Sequence, residues 1–374
     1  MPEIDFEAEG LLEGLEGKAR EARRELLQEL ADDGASLEEL RHAVDEDRLA
    51  LLPVDRVLQR EVVRYTLDQV IERAGVPRDL FLRQRQALGL PLPPKDEKAF
   101  TDADVEGVKR FKAFLDAGLP EEGLLRNARV IGMAMAQVAA ANRELIGTTL
   151  LQPGLTERDL ALRYAQAARE LQPVVAQVLE DVLRLHLREQ VRQDVVGQAN
   201  LASGEFGRTS EMTICFADLV GFTKLGEELG VGELGAVAAK LGELAGEVAT
   251  PPVRLVKMIG DAAMLVSPEP EPLGAAALDL VEAADSEGEE FPMLRAGVAR
   301  GAAIGSGGDV YGPPVNLASR ITAVARPGSI LADAEAMEAM GDRFHYSFAG
   351  ERRLKGISGG VKLFRVRRER KAEA

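Results

Sequence analysis

A chain of 374 residues with 46% hydrophobic side chains is long enough for two or three domains with buried cores. Its 62 Asp and Glu outnumber 46 Lys and Arg; the resulting formal charge of -16 argues against general affinity for nucleic acid or anionic lipid and leaves room only for a local basic pocket. The single cysteine, Cys215, excludes an intrachain disulfide and fits a reducing compartment. The acidic start MPEIDFEAEG is unlike a signal peptide, and the longest apolar run, Val130 to Ala141, is interrupted by Gln137 and too short to span a bilayer. The expectation is a cytoplasmic protein without stable membrane insertion.

Up to about residue 196 the pattern is helix after helix. Ser36 with Glu39 has capping-box spacing, Thr101 opens DADVEGVKRFKAFLDAG, and Thr156 opens ERDLALRYAQAARELQ. Breaks at Gly75 to Pro77, Gly89 to Pro94, Gly118 to Pro120 and Gln152 to Gly154 separate about seven or eight helices. A helix-turn-helix over Ser36 to Val57 is disfavoured, because Asp45, Glu46 and Asp47 have the wrong sign for phosphate contacts. No nucleic-acid partner is expected. In the last helix, Leu171, Val175, Val178, Val182 and Leu185 follow a four-three-four-three spacing. Such a stripe suits a two-chain seam, and equally a face packed on its own domain. Pro173 is expected at a helix start or kink. His186 lies beside the seam, and because histidine as a residue type can change charge near neutral pH it is a candidate regulatory residue, although a structural histidine would look the same. Residues 1–196 therefore form an all-helical domain, and Gly197 to Arg208, GQANLASGEFGR, is a linker to a second domain over 209–374.

From Glu211 the period changes. EMTICFADLV reads as a strand, GFTKLGEELG as a tight turn of phosphate size, and VGELGAVAAKLGELAGEVA as a helix, glycine-rich and so loosely held. A hairpin joins Val253–Ile259 to Ala262–Ser267 through Gly260 and Asp261. A helix near Leu273 to Ala284, a strand pair spanning Met293 to Ile304, and strands at Ser329–Leu331, Phe344–Phe348 and Lys362–Arg367 complete an α/β or α+β sandwich. Between them lies DVYGPPVNLASR, Asp309 to Arg320, with a helix expected from Val315.

Asn316 and Arg320, four apart, share one helix face, a donor pair suited to a ribose and a phosphate. An exposed helix behind a turn would carry the same residues. Asp218 ends the first strand and Asp261 sits in the hairpin turn; each alone reads as a turn residue. If the strand lies beside the hairpin, the two carboxylates meet at one edge, where divalent ions between them relieve the repulsion. Leu219 to Thr223 would then offer backbone amides to an anion. Carboxylates for metal beside amides for phosphate suit two-metal phosphoryl or nucleotidyl chemistry.

These residues resemble the class III adenylyl cyclases. Over about residues 209 to 367, FADLVGFT, VKMIGD, LRAGVARG and DVYGPPVNLASR occur in that family's order and spacing. The resemblance implies an α+β ferredoxin-like catalytic domain, pairing head to tail as a homodimer with its sites between subunits. It implies that Asp218 and Asp261 bind two Mg2+ or Mn2+ ions and that Lys257 and Asp309 read the adenine of ATP. Asn316 and Arg320 would position the ribose and stabilise the transition state. Phe216, Leu219, Val220, Gly221, Phe222 and Thr223 would surround substrate, and Arg295 and Lys355 would contact phosphate. The base reading is consistent chemically: Lys257 only donates and ionised Asp309 only accepts, complementing adenine's acceptor and donor, whereas guanine would set acceptor against Asp309. Pro251 and Pro252 ahead of the hairpin, and Pro313 and Pro314 ahead of Val315, depart from the family's usual residues. The N-terminal half is similar to the helical regulatory domain of one soluble bacterial branch, which implies dimerisation, autoinhibition, a response to pH, and a fatty acid or other lipid in its core. A nucleotide sensor without catalysis, a guanylate cyclase and a metal-dependent hydrolase are the competing functions.

Overall fold

The computed structural model of the protein describes residues 4–59, 63–150, 154–196, 209–288 and 290–369. The chain divides into two compact units, Met1–Gln198 and Ala199–Ala374. The expected linker, Gly197 to Arg208, lies outside the described residues.

Among the described residues the first unit holds eight α-helices: α1 (Gly17–Asp32), α2 (Leu37–Asp45), α3 (Leu52–Gln59), α4 (Leu67–Ala74), α5 (Arg78–Ala87), α6 (Asp102–Asp116), α7 (Glu121–Leu150) and α8 (Glu157–Val196). The starts follow side-chain chemistry. Ser36 Oγ accepts from Glu39 N at 3.2 Å, Thr101 N donates to Asp104 Oδ2 at 2.8 Å, and Asp159 N donates to Thr156 Oγ1 at 3.2 Å, so each satisfies an amide the first turn leaves open. Two small cores hold the unit. One gathers Phe6, Leu12, Leu26, Leu27, Leu40 and Leu49; the other gathers Val70, Phe81, Phe100, Phe111 and Leu125. Helix α8 runs 40 residues, about 60 Å at 1.5 Å per residue. Pro173 lies inside it rather than at a start. On the same helix Val178, Val182 and Leu185 are 53, 44 and 59% exposed, so this part of the stripe is not packed on its own domain, whereas Leu171 and Val175 line a cavity of the first unit.

The second unit runs β1 (Ser210–Leu219), α9 (Phe222–Glu228), α10 (Val231–Val248), β2 (Arg254–Ile259), β3 (Ala262–Ser267), α11 (Pro270–Ser286), β4 (Leu294–Ser306), β5 (Asp309–Tyr311), α12 (Pro313–Val324), β6 (Ser329–Ala332), α13 (Ala334–Met340), β7 (Phe344–Arg352) and β8 (Val361–Arg368). The sheet order is β2-β3-β1-β4-β6-β8-β7, with β5 on β4. The segment β1-α10-β2-β3-α11-β4, laid out 2-3-1-4, is the ferredoxin-like βαββαβ arrangement. Side chains of β1 alternate between two cores: Cys215, Ala217 and Leu219 meet Leu241 and Leu244 of α10 and Leu273 and Leu280 of α11, whereas Ile214 and Phe216 meet Ala318 and Ile321 of α12. The sheet is therefore covered on both faces, which explains the unbroken apolar run in β1.

Three expectations are corrected. The stretch expected as a strand pair over Met293 to Ile304 is, from Leu294 on, part of one strand, β4, whose far end turns at Gly307 and Gly308 (φ 60° and 82°) into β5. The stretch after Asp218 is a short helix, α9, followed by α10, rather than a turn and one helix. Helix α12 begins at Pro313, because proline fits the first helical turn, where its missing N–H leaves no bond unmade.

Candidate active site

Asp218 is the penultimate residue of β1 and stands opposite Arg295 on β4 and Ala262 on β3. Its Oδ2 accepts from Arg295 Nη2 at 2.6 Å and Nε at 2.9 Å, and Arg295 Nη1 donates to the Ala323 carbonyl at 3.3 Å near the end of α12. Asp261 occupies the turn between β2 and β3, where Gly260 takes the positive φ (60°) that the turn requires. Because β3 pairs with β1, the two carboxylates are neighbours. Burial raises the Asp261 carboxyl above its ordinary value, and the charge of Asp218 adds to that against the pull of Arg295.

The amides expected for an anion are partly taken. Leu219 N donates to the Asp261 carbonyl at 3.1 Å and Val220 N to the Met293 carbonyl at 2.9 Å, so only Gly221, Phe222 and Thr223, at the start of α9, remain from that stretch. The side chains of Phe216 and Leu219 are buried in opposite cores, 8% and 1% exposed, and belong to packing rather than to a substrate surface.

Lys257 lies on β2 just past a bulge and forms an ion pair with Asp309, the first residue of β5. Asp309 Oδ1 also accepts from Val310 N at 2.8 Å, which fixes the carboxylate plane. Asn316 and Arg320 are both exposed on one face of α12, and their side chains have no hydrogen-bond or ion-pair partner among the described residues. Lys355 is exposed in the turn between β7 and β8, likewise unpaired among the described residues. His186 is exposed on α8, in the first unit. Arg295 ties the carboxylates to Ala323, two turns or about 10 Å along α12 from Asn316. Within one chain the carboxylate group and the Asn316 group therefore stand apart.

Sequence reasoning missed what seats α12. Thr322, 4% exposed, donates its hydroxyl to the Ala318 carbonyl (2.8 Å) and lies 3.2 Å from the Phe216 carbonyl on β1. Directly below, a Cβ on Gly297 would come 2.3 Å from Thr322 N, so only glycine lets the helix approach β4 this closely. A glycine inside an apolar strand, LRAGVARG, was the available signal.

Two neighbouring carboxylates, one with its proton affinity raised by burial and further by the charge of the other, suit a hard divalent cation. Among the described residues no group of three or more His, Cys, Asp or Glu is placed to hold a metal, so Asp218 and Asp261 would supply two anchors and leave other positions to phosphate, water and backbone oxygens.

Residues 4–191 match the family described as adenylate cyclase regulatory domain, and residues 205–368 match the adenylate and guanylate cyclase catalytic domain. A pH-sensitive adenylate cyclase of Mycobacterium tuberculosis is 37% identical over 97% of this chain and 92% of its own length. An adenylate cyclase of Streptomyces griseus is 32% identical over 72% of this chain and 67% of its own. The crystal structure of the adenylyl cyclase CyaB from P. aeruginosa aligns with 44% of this chain and 98% of its own, at 23% identity and a TM-score of 0.39. With the regulatory-domain match covering half of the chain and a relative at 37% identity spanning nearly all of it, the chain belongs to the adenylate cyclase family that joins this regulatory domain to a cyclase catalytic domain.

Proposed function

We propose that the second unit converts ATP to 3′,5′-cyclic AMP and pyrophosphate. The observation that carries this reading is the Lys257–Asp309 pair, a lone donor set against a lone acceptor and held on two strands that approach each other. The names of the two cyclase relatives support it. In the reaction the ribose 3′-oxygen bonds to the α-phosphorus, the bond from that phosphorus to the β-bridging oxygen breaks, pyrophosphate leaves with the electron pair, and the hydroxyl proton passes to solvent. Both reacting groups belong to one molecule, so the protein mainly holds ATP in the reactive shape. Asn316 positions the ribose, and Arg320, one turn on, meets charge growing on the α-phosphate. Arg295 and Lys355 contact the phosphates. Mg2+ or Mn2+, two ions held by Asp218 and Asp261, would supply Lewis acidity for the hydroxyl and a clamp for the triphosphate.

The distance along α12 between the carboxylate group and the Asn316 group supports a site completed by two chains. Each site of a homodimer then takes Asp218, Asp261 and Arg295 from one chain and Lys257, Asp309, Asn316 and Arg320 from the other. The exposed stripe on α8 supports the same pairing through the first unit. In this reading the first unit regulates catalysis by pH or by a lipid, with α8 as transmitter and His186 as one trigger. The pH-sensitive relative supports the first stimulus. A cavity of 640 Å³ in the first unit, with apolar walls from Leu51, Leu52, Leu58 and Ile146 and with Glu39, Glu46 and Asp55 beside Arg48 and Arg143, supports the second through its apolar chamber.

The test is product identity. The whole chain incubated with Mn2+ should make cyclic AMP from ATP and far less cyclic GMP from GTP. Asp309→Ala should lower kcat/KM for ATP about 10- to 100-fold, the worth of one charged hydrogen bond. ATP binding without any cyclic product would replace the enzyme with a nucleotide sensor, and linear ADP with phosphate would make it a hydrolase.

A further inference from the structure

The sheet face under α12 continues across β6, β8 and β7, where a cavity of 250 Å³ opens. Arg326, Arg352 and Arg365 line it with Ser329, Ser347 and Phe348, and no Asp or Glu contributes. Several other arginines of this unit find acids: Arg295 pairs with Asp218, Arg343 with Glu271, and Arg368 with Asp279 and Glu282. The three cavity arginines form no ion pair among the described residues, and Arg365 Nε is enclosed without a hydrogen-bond partner. Arg365 is half-buried, and Arg326 and Arg352 are exposed at the opening. Arg365 stands on β8 between Ser347 of β7 and Leu331 of β6, and Arg326 sits in a turn closed by Ser329 N and Oγ on its carbonyl, at 3.0 and 2.7 Å. Three like charges converging in an acidic chain call for an anion between them.

We propose that this cavity is a binding site for a diphosphate group. One phosphate carries about −1.5 to −2 near neutral pH, short of three guanidinium charges, and a second phosphoryl group makes up the difference. Guanidinium forks suit the equatorial oxygens of such a group. The volume falls below the roughly 300 Å³ at which sites for larger ligands begin, so the cavity takes a small anion rather than a whole nucleotide. Val324, also in the lining, follows the residue whose carbonyl Arg295 holds, and Ser329 is the register partner of Arg295. The cavity thus borders the carboxylate group. Pyrophosphate released by the proposed reaction is one source of the anion and the diphosphate of ADP another, and the three arginines hold it whether or not cyclic AMP is made.

Titration of the full chain in EDTA, without nucleotide, by calorimetry with pyrophosphate, ADP and inorganic phosphate separates the outcomes. Pyrophosphate should bind at least about 10-fold more tightly than inorganic phosphate, and Arg365→Gln and Arg326→Gln should each weaken it about 10-fold. Arg343→Gln, whose side chain pairs with Glu271 outside the cavity, should leave it within about twofold. ADP binding as tightly as pyrophosphate, with the same sensitivity to both cavity variants, would mark the nucleotide as the source. Loss of pyrophosphate binding in Arg295→Gln but not in the cavity variants, or no binding at all, overturns the assignment. If Arg365→Gln fails to fold, Arg326→Gln, exposed in its turn, decides alone.

Discussion

Asp333 caps α13 from a position only 5% exposed, its Oδ1 accepting from Ala336 N at 2.8 Å. Burial pushes its carboxyl up to about 6, against an ordinary value near 4, although the cap amide pulls the other way. A folded-state value above the unfolded one means the native state holds the proton more tightly. The contribution to stability is therefore greatest below about pH 4 and is lost as pH rises toward 6, by up to about 3 kcal/mol. Asparagine caps as well and carries no charge. Asp333→Asn should accordingly be more stable than the parent at pH 8, with the gain shrinking at pH 4.5 in urea unfolding; an equal gain at both would contradict the cause given. Gly297 makes the opposite case. A methyl there meets backbone 2.3 Å away, which cannot yield as a flexible side chain would, so Gly297→Ala should destabilise by about 1–3 kcal/mol and displace α12 with Asn316 and Arg320. Cyclic AMP formation by refolded, soluble Gly297→Ala at wild-type rate would show that α12 needs no such closeness. Cys215, buried with its thiol raised to about 12, is inert packing.

At the scale of elements, the helix starts at Ser36, Thr101 and Thr156 were legible because a cap is local: the donor and acceptor lie three residues apart. The β2–β3 hairpin was legible for the same reason. Helices α9 and α13, seven residues each, carried too little periodicity to stand out, and β4 was divided in two because its glycines resemble turn residues. The α8 stripe was readable as a spacing but not as a surface. Its exposure supports a seam between chains, and Val178→Glu with Val182→Glu should shift the protein from dimer toward monomer in sedimentation and lower cyclic AMP formation with it. A double variant that sediments and works as the parent does would remove α8 from the interface.

Across the whole molecule, the two units with separate cores coincide with the matches to a regulatory-domain and a catalytic-domain family. Among the described residues no helix is long and apolar enough to cross a membrane. Residues 205–374 alone should form cyclic AMP with a flatter profile between pH 5.5 and 8 than the whole chain. In the whole chain, His186→Gln should flatten that profile if imidazole charge at α8 is the trigger. An unchanged profile moves the trigger to another group of the first unit, and equal profiles for both chains deny that unit any part in the response.

By itself the sequence determined the residue types of the candidate site and their order, along with the caps and hairpin, because each of those depends on neighbours a few positions away. The tertiary structure decided which of them meet. Strand pairing set Arg295 against Asp218, and the β4–β5 turn carried Asp309 to Lys257 across 52 positions of chain. It also withdrew Phe216 and Leu219 into the core and committed the amides of Leu219 and Val220 to carbonyls. Such outcomes depend on register and on which face of a covered sheet a side chain takes, and a strand apolar on both faces does not announce either.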